Sequence, residues 1–230
     1  MMPDHNPEYK SDEAELHLTI SEDFVQSPTH KQSSTTRSDF DGLLADQPLL
    51  LLEDLSKGNG GMSWPAGHVL AKYLLRSKQS MLKKSSIVEL GSGGGLVGLA
   101  IAVGCRPEKV VRITDQASML ALMQQNIGLN GLEGKVEASI YDWGAGNRPV
   151  NVPVPEVLLA ADCVYFEPAF PLLLQTLEEM VGPNTVCYFC FKRRRRADMH
   201  FLKAAKKAFV VEEIEDDPDR ATYARENIHL

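Results

Sequence analysis

The chain has 230 residues, of which 43% are hydrophobic and 24% are charged, so it is long enough for one globular domain with a tail. Four cysteines are too few for a disulfide scaffold, and they favour a reducing compartment. No apolar run approaches the ~20 residues of a membrane span, and the polar N-terminus lacks the apolar stretch of a secretory signal. These features predict a soluble, cytoplasmic protein.

The net charge of −7 is concentrated near the N-terminus, where residues 1–41 carry nine acidic and three basic side chains. Residues 1–40 are polar and lack apolar periodicity, so we expect a disordered tail followed by one domain at 41–230. A short alternation at residues 16–20 leaves open a strand docked on that domain. The domain itself is almost neutral, which disfavours general binding to nucleic-acid backbones.

Strands and helices alternate along the rest of the chain. In chain order, the pattern predicts a strand at 49–55, a helix at 64–81 capped by Ser63, a strand at 87–90, a helix at 96–103, a strand at 109–114, a helix at 117–129, strands at 136–141 and 156–161, a helix at 168–180, a strand at 185–191, a helix at 197–208, a strand at 209–214 and a final apolar piece at 227–230. Repeated strand–helix units with buried strands indicate an α/β fold, a doubly wound and mostly parallel sheet.

Four glycines occur within the five residues that follow the strand at 87–90. Ligands bind beyond the carboxyl ends of the strands in such sheets, and glycine lets them approach the bare backbone. Gly93-x-Gly95-x-x-Gly98 matches the dinucleotide fingerprint, which is weak when it stands alone. Aligned on the strand end, Gly91-x-Gly93 comes first, with a leucine where the third glycine would stand and Glu89 two residues ahead. This arrangement favours S-adenosylmethionine, which has no pyrophosphate.

Suitable side chains also follow the next strand ends. Asp115 lies 24 residues after Gly91, close to the roughly 20 expected for a carboxylate that binds both ribose hydroxyls. Trp143 can stack on adenine, and Asp142 can accept from its exocyclic amine. Each feature alone is equally consistent with a strand-end cap or a half-buried aromatic residue. Asp162 closes an apolar strand, so it must be solvated, paired or functional.

Three segments together are characteristic: the glycine loop at 89–93, Tyr141-Asp142-Trp143-Gly144, and Ala161-Asp162-Cys163-Val164-Tyr165. They resemble the seven-strand protein-lysine methyltransferases with an Asp-x-x-Tyr motif, the family of the valosin-containing-protein lysine methyltransferase. Residues 61–64 are similar to the family's segment ahead of the first helix. Within the family, residues 161–168 and 191–195 look most like the fungal branch that acts on translation elongation factor 1-alpha.

The resemblance implies a Rossmann-like, seven-stranded sheet and methyl transfer from S-adenosylmethionine to a protein lysine. It implies cofactor contacts at Trp64, Gly91, Ser92, Gly93, Asp115, Trp143 and Ala161. It places Asp162 and Tyr165 at the acceptor lysine, where Asp162 orients the amine and the Tyr165 ring faces the developing ammonium. No metal is required. The expected partner is a protein, translation elongation factor 1-alpha, and the enzyme is expected to be a monomer that binds neither membrane nor nucleic acid.

Several alternatives stay open. Five consecutive cations at residues 192–196 fit a solvated turn, a contact with an acidic substrate, or a signal for nuclear localisation or RNA. Methylation of a nucleic acid or small molecule is disfavoured, because Cys163 and Val164 replace the two prolines usual in adenine methyltransferases. A binding module without turnover is disfavoured by the intact Asp-x-x-Tyr motif. Cys187 and Cys190 have the spacing of half a zinc knuckle, but without a second pair they indicate buried apolar residues.

Overall fold

The computed structural model describes residues 33–230, apart from residues 145 and 147 and the side chain of Lys57. The possible strand at 16–20 therefore lies outside the described residues. Ser34–Ser38 (β1) pairs in antiparallel fashion with Leu49–Glu53 (β2). The polar β1 lies within the stretch assigned to the tail, because its order comes from pairing with the apolar β2 rather than from its own pattern. The described fold thus begins before residue 41.

From β2 to residue 208 the elements agree with the predicted order, apart from the division of the first helix. The strands of the main sheet are Ile87–Leu90 (β3), Val111–Asp115 (β4), Val136–Ile140 (β5), Val157–Ala161 (β6), Val186–Lys192 (β7) and Ile228–His229 (β8). The helices are Pro65–Ser77 (α1), Gln79–Leu82 (α2), Leu96–Gly104 (α3), Leu120–Leu129 (α4), Phe170–Met180 (α5), Arg196–Ala208 (α6) and Arg220–Arg225 (α7). Among the described residues, no helix combines the length and apolar character needed to cross a membrane.

Two local expectations about the first helix are wrong. The predicted helix at 64–81 is divided at Lys78, which leaves the helical conformation between α1 and α2. Ser63 does not cap α1: Trp64 is the capping residue, it makes no side-chain capping bond, and the Ser63 hydroxyl has no hydrogen-bond partner among the described residues. Pro65 has no N–H group, so the first turn of α1 contains one fewer donor that needs an acceptor.

The main sheet has the order β5-β4-β3-β6-β7-β8. Its strands are parallel except for β8, which is antiparallel to β7. The order reverses between β3 and β6, so their carboxyl ends flank the crevice where doubly wound sheets bind ligands. The predicted doubly wound class is confirmed.

Six strands rather than seven form this sheet in the described part of the chain, because residues 209–214 make no strand. This stretch runs beside β8 and shares one backbone bond with it, from Ile214 N–H to Leu230 O at 3.0 Å. β8 pairs with β7 over only two residues, so it offers few groups to a further neighbour. Val210, within this stretch, is 93% exposed, so its side chain does not pack on the sheet.

Helices pack on both faces of the sheet, because neighbouring strand residues point to opposite sides. Val157 and Leu159 of β6 join a buried cluster with α1, α3 and α4. Leu158 and Ala160 of the same strand join a second cluster with α5 and α6. The loops at the carboxyl ends of the central strands therefore start from positions that are held from both sides.

Candidate functional site

A cavity of about 730 Å³ opens at the carboxyl ends of β3, β4 and β6, beside the point where the strand order reverses. This volume lies within the usual range of small-molecule sites, ~300–1,000 Å³. All nine site residues expected from the sequence line it: Trp64, Gly91, Ser92, Gly93, Asp115, Trp143, Ala161, Asp162 and Tyr165. Folding thus brings together segments that are distant in the chain.

The loop after β3 presents bare backbone to this cavity. Gly91 has φ of +58° and Gly93 has φ of +55°, in the left-handed region that glycine adopts without strain. A Cβ atom on Gly91 would lie 2.7 Å from the Trp143 ring, and one on Gly93 would meet the carbonyl oxygen of Gly60. Ser92 turns its hydroxyl into the core, where it donates to a methionine sulfur. The loop therefore offers main-chain groups rather than side chains to a ligand.

Glu89 lies beneath this loop and caps the helix that follows. Its carboxyl group accepts the N–H groups of Val97 and Gly98, the latter at 2.8 Å. These N–H groups lie in the first turn of α3, where no acceptor is available within the helix. Burial raises the pKa of Glu89 to about 8, although the two N–H groups act in the opposite direction. Glu89 thereby holds the junction between the glycine loop and α3.

Asp115, at the end of β4, is tied to the glycine loop. Its Oδ2 accepts the N–H of Gly93 at 2.7 Å, and its Oδ1 accepts the N–H of Gln116 at 2.7 Å. Asp115 lines the cavity, and a carboxylate oxygen is an acceptor for hydroxyl groups of a ligand. Asp142, which follows β5, is exposed and lines the same cavity.

Two tryptophan rings contribute aromatic walls. Trp143 is half-buried and lies over the backbone of Gly91. Trp64 donates its Nε1–H to the carbonyl oxygen of Asn59 at 2.9 Å, which fixes the orientation of its ring. The Trp64 ring also faces the guanidinium of Arg194, whose central carbon lies 5.3 Å from the ring centroid. This separation is within the range of cation–π contacts.

Asp162 follows β6 with φ of +56°, a conformation that is uncommon outside glycine and that concentrates at functional sites. Its side chain is 2% exposed. Oδ1 accepts the N–H of Lys192 at 3.1 Å and Nη1 of Arg194 at 2.8 Å, and Oδ2 accepts Nη2 of Arg194 at 2.8 Å. Hydrogen bonds to Asp162 raise the pKa of Arg194, and this forked geometry is the strong form of an ion pair.

Arg194 and Arg195 are cavity residues that the sequence did not assign to the site. Both belong to the basic run at 192–196. Arg194 pairs with Asp162, and a guanidinium nitrogen of Arg195 donates to the carbonyl oxygen of Tyr165. These two cations are therefore structural members of the site rather than parts of a solvated turn. The roles of the other three cations stay open.

Asp198 anchors this basic run. It is the third residue of α6 and is fully buried, and its Oδ2 accepts the backbone N–H groups of Arg194 at 2.7 Å and Arg195 at 2.8 Å. An acidic residue at the third position of a helix often accepts N–H groups at the helix start. The position of Asp198 near the helix start is a feature of the sequence from which the anchoring of the basic run could have been predicted. No feature of the sequence near Arg194 indicates that it pairs with Asp162.

The cysteines of β7 behave as apolar residues. Burial raises the pKa of Cys187 to about 12 and that of Cys190 well above its ordinary value, so both thiols are protonated at neutral pH. A protonated thiol is not the form that binds metals. Within the described ranges, no group of three His, Cys, Asp or Glu side chains is arranged to hold a metal ion.

The cavity residues form two sets of contacts. One set joins the glycine loop, Asp115 and Trp143, which suits a ligand with hydroxyl groups and a flat ring. The other set joins Asp162, Arg194 and Trp64, which suits a polar reacting group beside the first ligand. The two sets share one cavity, so their ligands can meet within it.

Comparisons with known proteins identify the family to which the chain is similar. The model of the lysine methyltransferase family matches residues 43–208. The chain is 34% identical over 197 residues to protein-lysine N-methyltransferase EFM6 of Saccharomyces cerevisiae, covering 75% of this chain and 80% of the relative. It is 32% identical over 161 residues to EEF1A lysine methyltransferase 3 of Mus musculus, covering 68% and 66%.

A solved structure shares the fold. Aeropyrum pernix fibrillarin, crystallised in complex with S-adenosyl-L-methionine, matches with a TM-score of 0.50 and 12% identity, over 70% of this chain and 73% of that one. The chain belongs to the lysine methyltransferase family.

Proposed function

We propose that this protein transfers a methyl group from S-adenosylmethionine to a lysine of translation elongation factor 1-alpha. The observation that carries the proposal is the single cavity in which the glycine loop and Asp115 adjoin Asp162 and Tyr165. Family membership supports lysine as the acceptor.

The cavity fits S-adenosylmethionine. Gly91 and Gly93 place main-chain groups at the wall of the cavity, Asp115 would accept from the ribose hydroxyls, and Trp143 would stack on adenine. The further cofactor contacts that we propose are Trp64, Ser92 and Ala161. When bound, S-adenosylmethionine supplies a methyl group on a sulfonium sulfur; the acceptor nitrogen's lone pair forms the N–C bond as the C–S electron pair stays on sulfur.

The acceptor end is built from Asp162 and Tyr165. Asp162 would orient the lysine amine through a hydrogen bond, and the Tyr165 ring would face the charge that develops on nitrogen. Most of the catalysis of such an in-line displacement comes from positioning. The lysine must arrive without its extra proton, because an ammonium nitrogen has no lone pair. Burial and the neighbouring sulfonium both lower the pKa of the lysine.

Translation elongation factor 1-alpha is the proposed substrate because a relative that is 32% identical carries this factor in its name. The segments at 161–168 and 191–195, which line or adjoin the cavity, are also those that resemble the fungal enzymes for this factor. We further propose that the protein acts in the cytoplasm, because its proposed substrate works in translation, and that it acts as a monomer.

A methylation assay with labelled S-adenosylmethionine and purified elongation factor tests the proposal, with mass spectrometry to identify the modified residue. Wild-type protein should label a lysine, and Asp162→Asn should slow the reaction by roughly a hundredfold while cofactor affinity stays within a few fold. Asp217→Asn is the matched control, because the Asp217 side chain is also 2% exposed and pairs with Arg76 at 3.0 Å outside the cavity. This control should retain its activity.

Other outcomes would contradict the proposal in different ways. Label on RNA or on a small molecule, with none on lysine, would replace the acceptor. Label on a different protein would preserve the reaction and reject the substrate. Cofactor binding without turnover on any fraction of a cell lysate would indicate a binding module.

A further inference from the structure

The guanidinium of Arg194 lies between a carboxylate and an aromatic ring of the cavity. It contacts both oxygens of Asp162 at 2.8 Å, and its carbon is 5.3 Å from the centroid of Trp64. All three residues line the cavity. A carboxylate and an aromatic face are also the groups that bind an ammonium ion. A cation of the chain itself thus lies beside the carboxylate to which the acceptor lysine is proposed to bind.

The surrounding contacts hold Arg194 in this place. Buried Asp198 accepts its backbone N–H at 2.7 Å and that of Arg195 at 2.8 Å. The Arg195 side chain joins the turn between β7 and α6 to the carbonyl oxygen of Tyr165, in the segment that follows Asp162. The pair between Arg194 and Asp162 is therefore part of a connected network, unlike a loose ion pair on the surface.

A lone carboxylate at the acceptor would oppose methyl transfer. An opposite charge within ~4–6 Å favours the charged form of a group and shifts its pKa by 1–3 units. Asp162 by itself would thus stabilise the lysine as an ammonium, which cannot attack the methyl carbon. The positive charge of Arg194 offsets that of Asp162 and still leaves carboxylate oxygens able to accept hydrogen bonds.

We propose that Arg194 is a positioning residue that neutralises Asp162, so that the site accepts the lysine as a neutral amine. Lys192 N–H and the two Arg194 nitrogens take three of the roughly four acceptor positions of the carboxylate. The position left on Oδ2 accepts one N–H of the amine, whose lone pair remains available for the methyl carbon. This inference rests on the proposed lysine methyl transfer.

Other ionisable groups face this pair or lie on elements packed against it. They are Cys163, Cys190, Lys192, Tyr165, Arg195, Asp198, His229, Glu89 and Asp115. Burial raises the pKa of both thiols well above its ordinary value, and His229 stacks on Phe191. The pKa of Glu89 is about 8, so Glu89 titrates in the relevant range. Its contribution is common to every variant at Arg194 and cancels in a comparison with the wild type.

The test is the pH dependence of methylation at saturating substrate, from pH 6.5 to 9.5. In Arg194→Gln, the rising limb of the plot of methylation rate against pH should move to higher pH by about one unit or more. The rate should be about tenfold lower than that of the wild type at pH 7, and this difference should diminish towards pH 9.5. Arg194→Lys keeps the positive charge but cannot bind both carboxylate oxygens in the forked geometry, so it should shift the rising limb of the pH profile less.

Arg76→Gln is the matched control, because the Arg76 side chain is 28% exposed against 30% for Arg194 and pairs with Asp217 and Asp219 outside the cavity. It should lower stability without moving the limb. An equal loss of rate at every pH in Arg194→Gln would overturn the proposal in favour of a purely structural role. A faster reaction or a lower KM at pH 7 would overturn it too, because Arg194 would then block the site.

If Arg194→Gln does not fold, Arg194→Lys decides the question. Its rate should be lower than that of the wild type at pH 7 and recover by pH 9, and a loss that is independent of pH would overturn the proposal. Failure of the wild type to methylate lysine at any pH would instead refute the proposed function, so the two failures are distinguishable.

Discussion

Glu89 is a buried carboxyl group that makes the stability of the protein depend on pH. Burial raises its pKa in the folded protein to about 8 from the ordinary value of 4.5. Between these values the folded state binds the proton and the unfolded chain does not. The contribution of Glu89 is therefore fully present below about pH 4.5, and the free energy of unfolding decreases as the pH rises through about 8.

Replacing Glu89 by Gln should remove this dependence. The amide keeps the size of the side chain and an acceptor for the N–H groups of α3, but it does not ionise. Urea titrations at pH 5, 6.5 and 8 measure the free energy of unfolding of the wild type and of Glu89→Gln. The difference, wild type minus variant, should decrease as the pH rises, by up to a few kcal/mol. A difference that stays constant with pH would contradict this assignment.

At the scale of elements, α4 supplies the hydrogen bonds that one edge of β2 would otherwise receive from a strand. Asn126 accepts the N–H of Leu52 at 2.7 Å and donates to the carbonyl oxygens of Leu52 and Gly94, the latter at 2.9 Å. One turn later, Asn130 accepts the N–H of Leu50 at 2.9 Å and donates to its carbonyl oxygen at 2.7 Å. The two amides thus attach β2 to α4, and Asn126 also attaches it to the glycine loop.

We expect Asn126→Ala to destabilise the protein more than Asn130→Ala. Asn126 is fully buried, so its loss leaves backbone groups of Leu52 and Gly94 without hydrogen bonds, which lowers the free energy of unfolding by about 2–4 kcal/mol. Asn130 is partly exposed, so water can replace it at about 1 kcal/mol. For a chain of this size, the melting temperature should decrease by ~2–4 °C for each kcal/mol of lost stability, which thermal melts measure. Equal shifts in the two variants would be inconsistent with this interpretation.

Arg193, in the turn between β7 and α6, and Arg196, the first residue of α6, are exposed beside the cavity. If they attract an acidic substrate surface, replacing both by Gln should weaken capture of the intact protein substrate a few fold at low salt, and less at high salt. Methylation of a short peptide should not change. Replacing Lys203 and Lys206, which are exposed on α6, removes the same charge as a control. Unchanged capture at low salt would identify Arg193 and Arg196 as solvated residues.

At the scale of the whole molecule, charged side chains on α1 connect the two ends of the described fold. Lys72 pairs with Asp41 at 2.5 Å and with Asp219 at 2.8 Å. Arg76 pairs with Asp217 at 3.0 Å and with Asp219 at 2.9 Å. These contacts hold the segment before α7 against α1, and this segment leads to β8 at the edge of the sheet.

Two truncations should locate the start of the domain. Residues 1–32 belong to the stretch 1–40 that the sequence predicts to be a tail, so their removal should change the melting temperature by less than about 2 °C. Removal of residues 1–38 also deletes β1 and its pairing with β2, and should lower the melting temperature by roughly 3–8 °C. Calorimetry of both truncations decides, and a large drop in the shorter one would mean that residues 1–32 dock on the domain.

The amino-acid sequence by itself determined the order of the elements from β2 through α6, apart from the division of the first helix, and the edge of the sheet at which the predicted site residues meet. Apolar periodicity separates strands from helices, and parallel strands in a doubly wound sheet bring their carboxyl ends to one edge. Gly91, Asp115 and Asp162 follow three such strands, so their meeting in one cavity follows from local pattern and a general rule of topology. No contact between specific side chains had to be known.

Tertiary structure alone decided which neighbours complete these elements. β1 is polar and forms a strand because β2 pairs with it. Residues 209–214, which are apolar except for Glu212 and Glu213, form no strand because β8 offers too short an edge. The partner of Asp162 was equally hidden, since Arg194 is one of five adjacent cations and only the turn anchored by Asp198 brings its guanidinium to the carboxylate. Pairing depends on distances between groups far apart in the chain, and these distances exist only after folding.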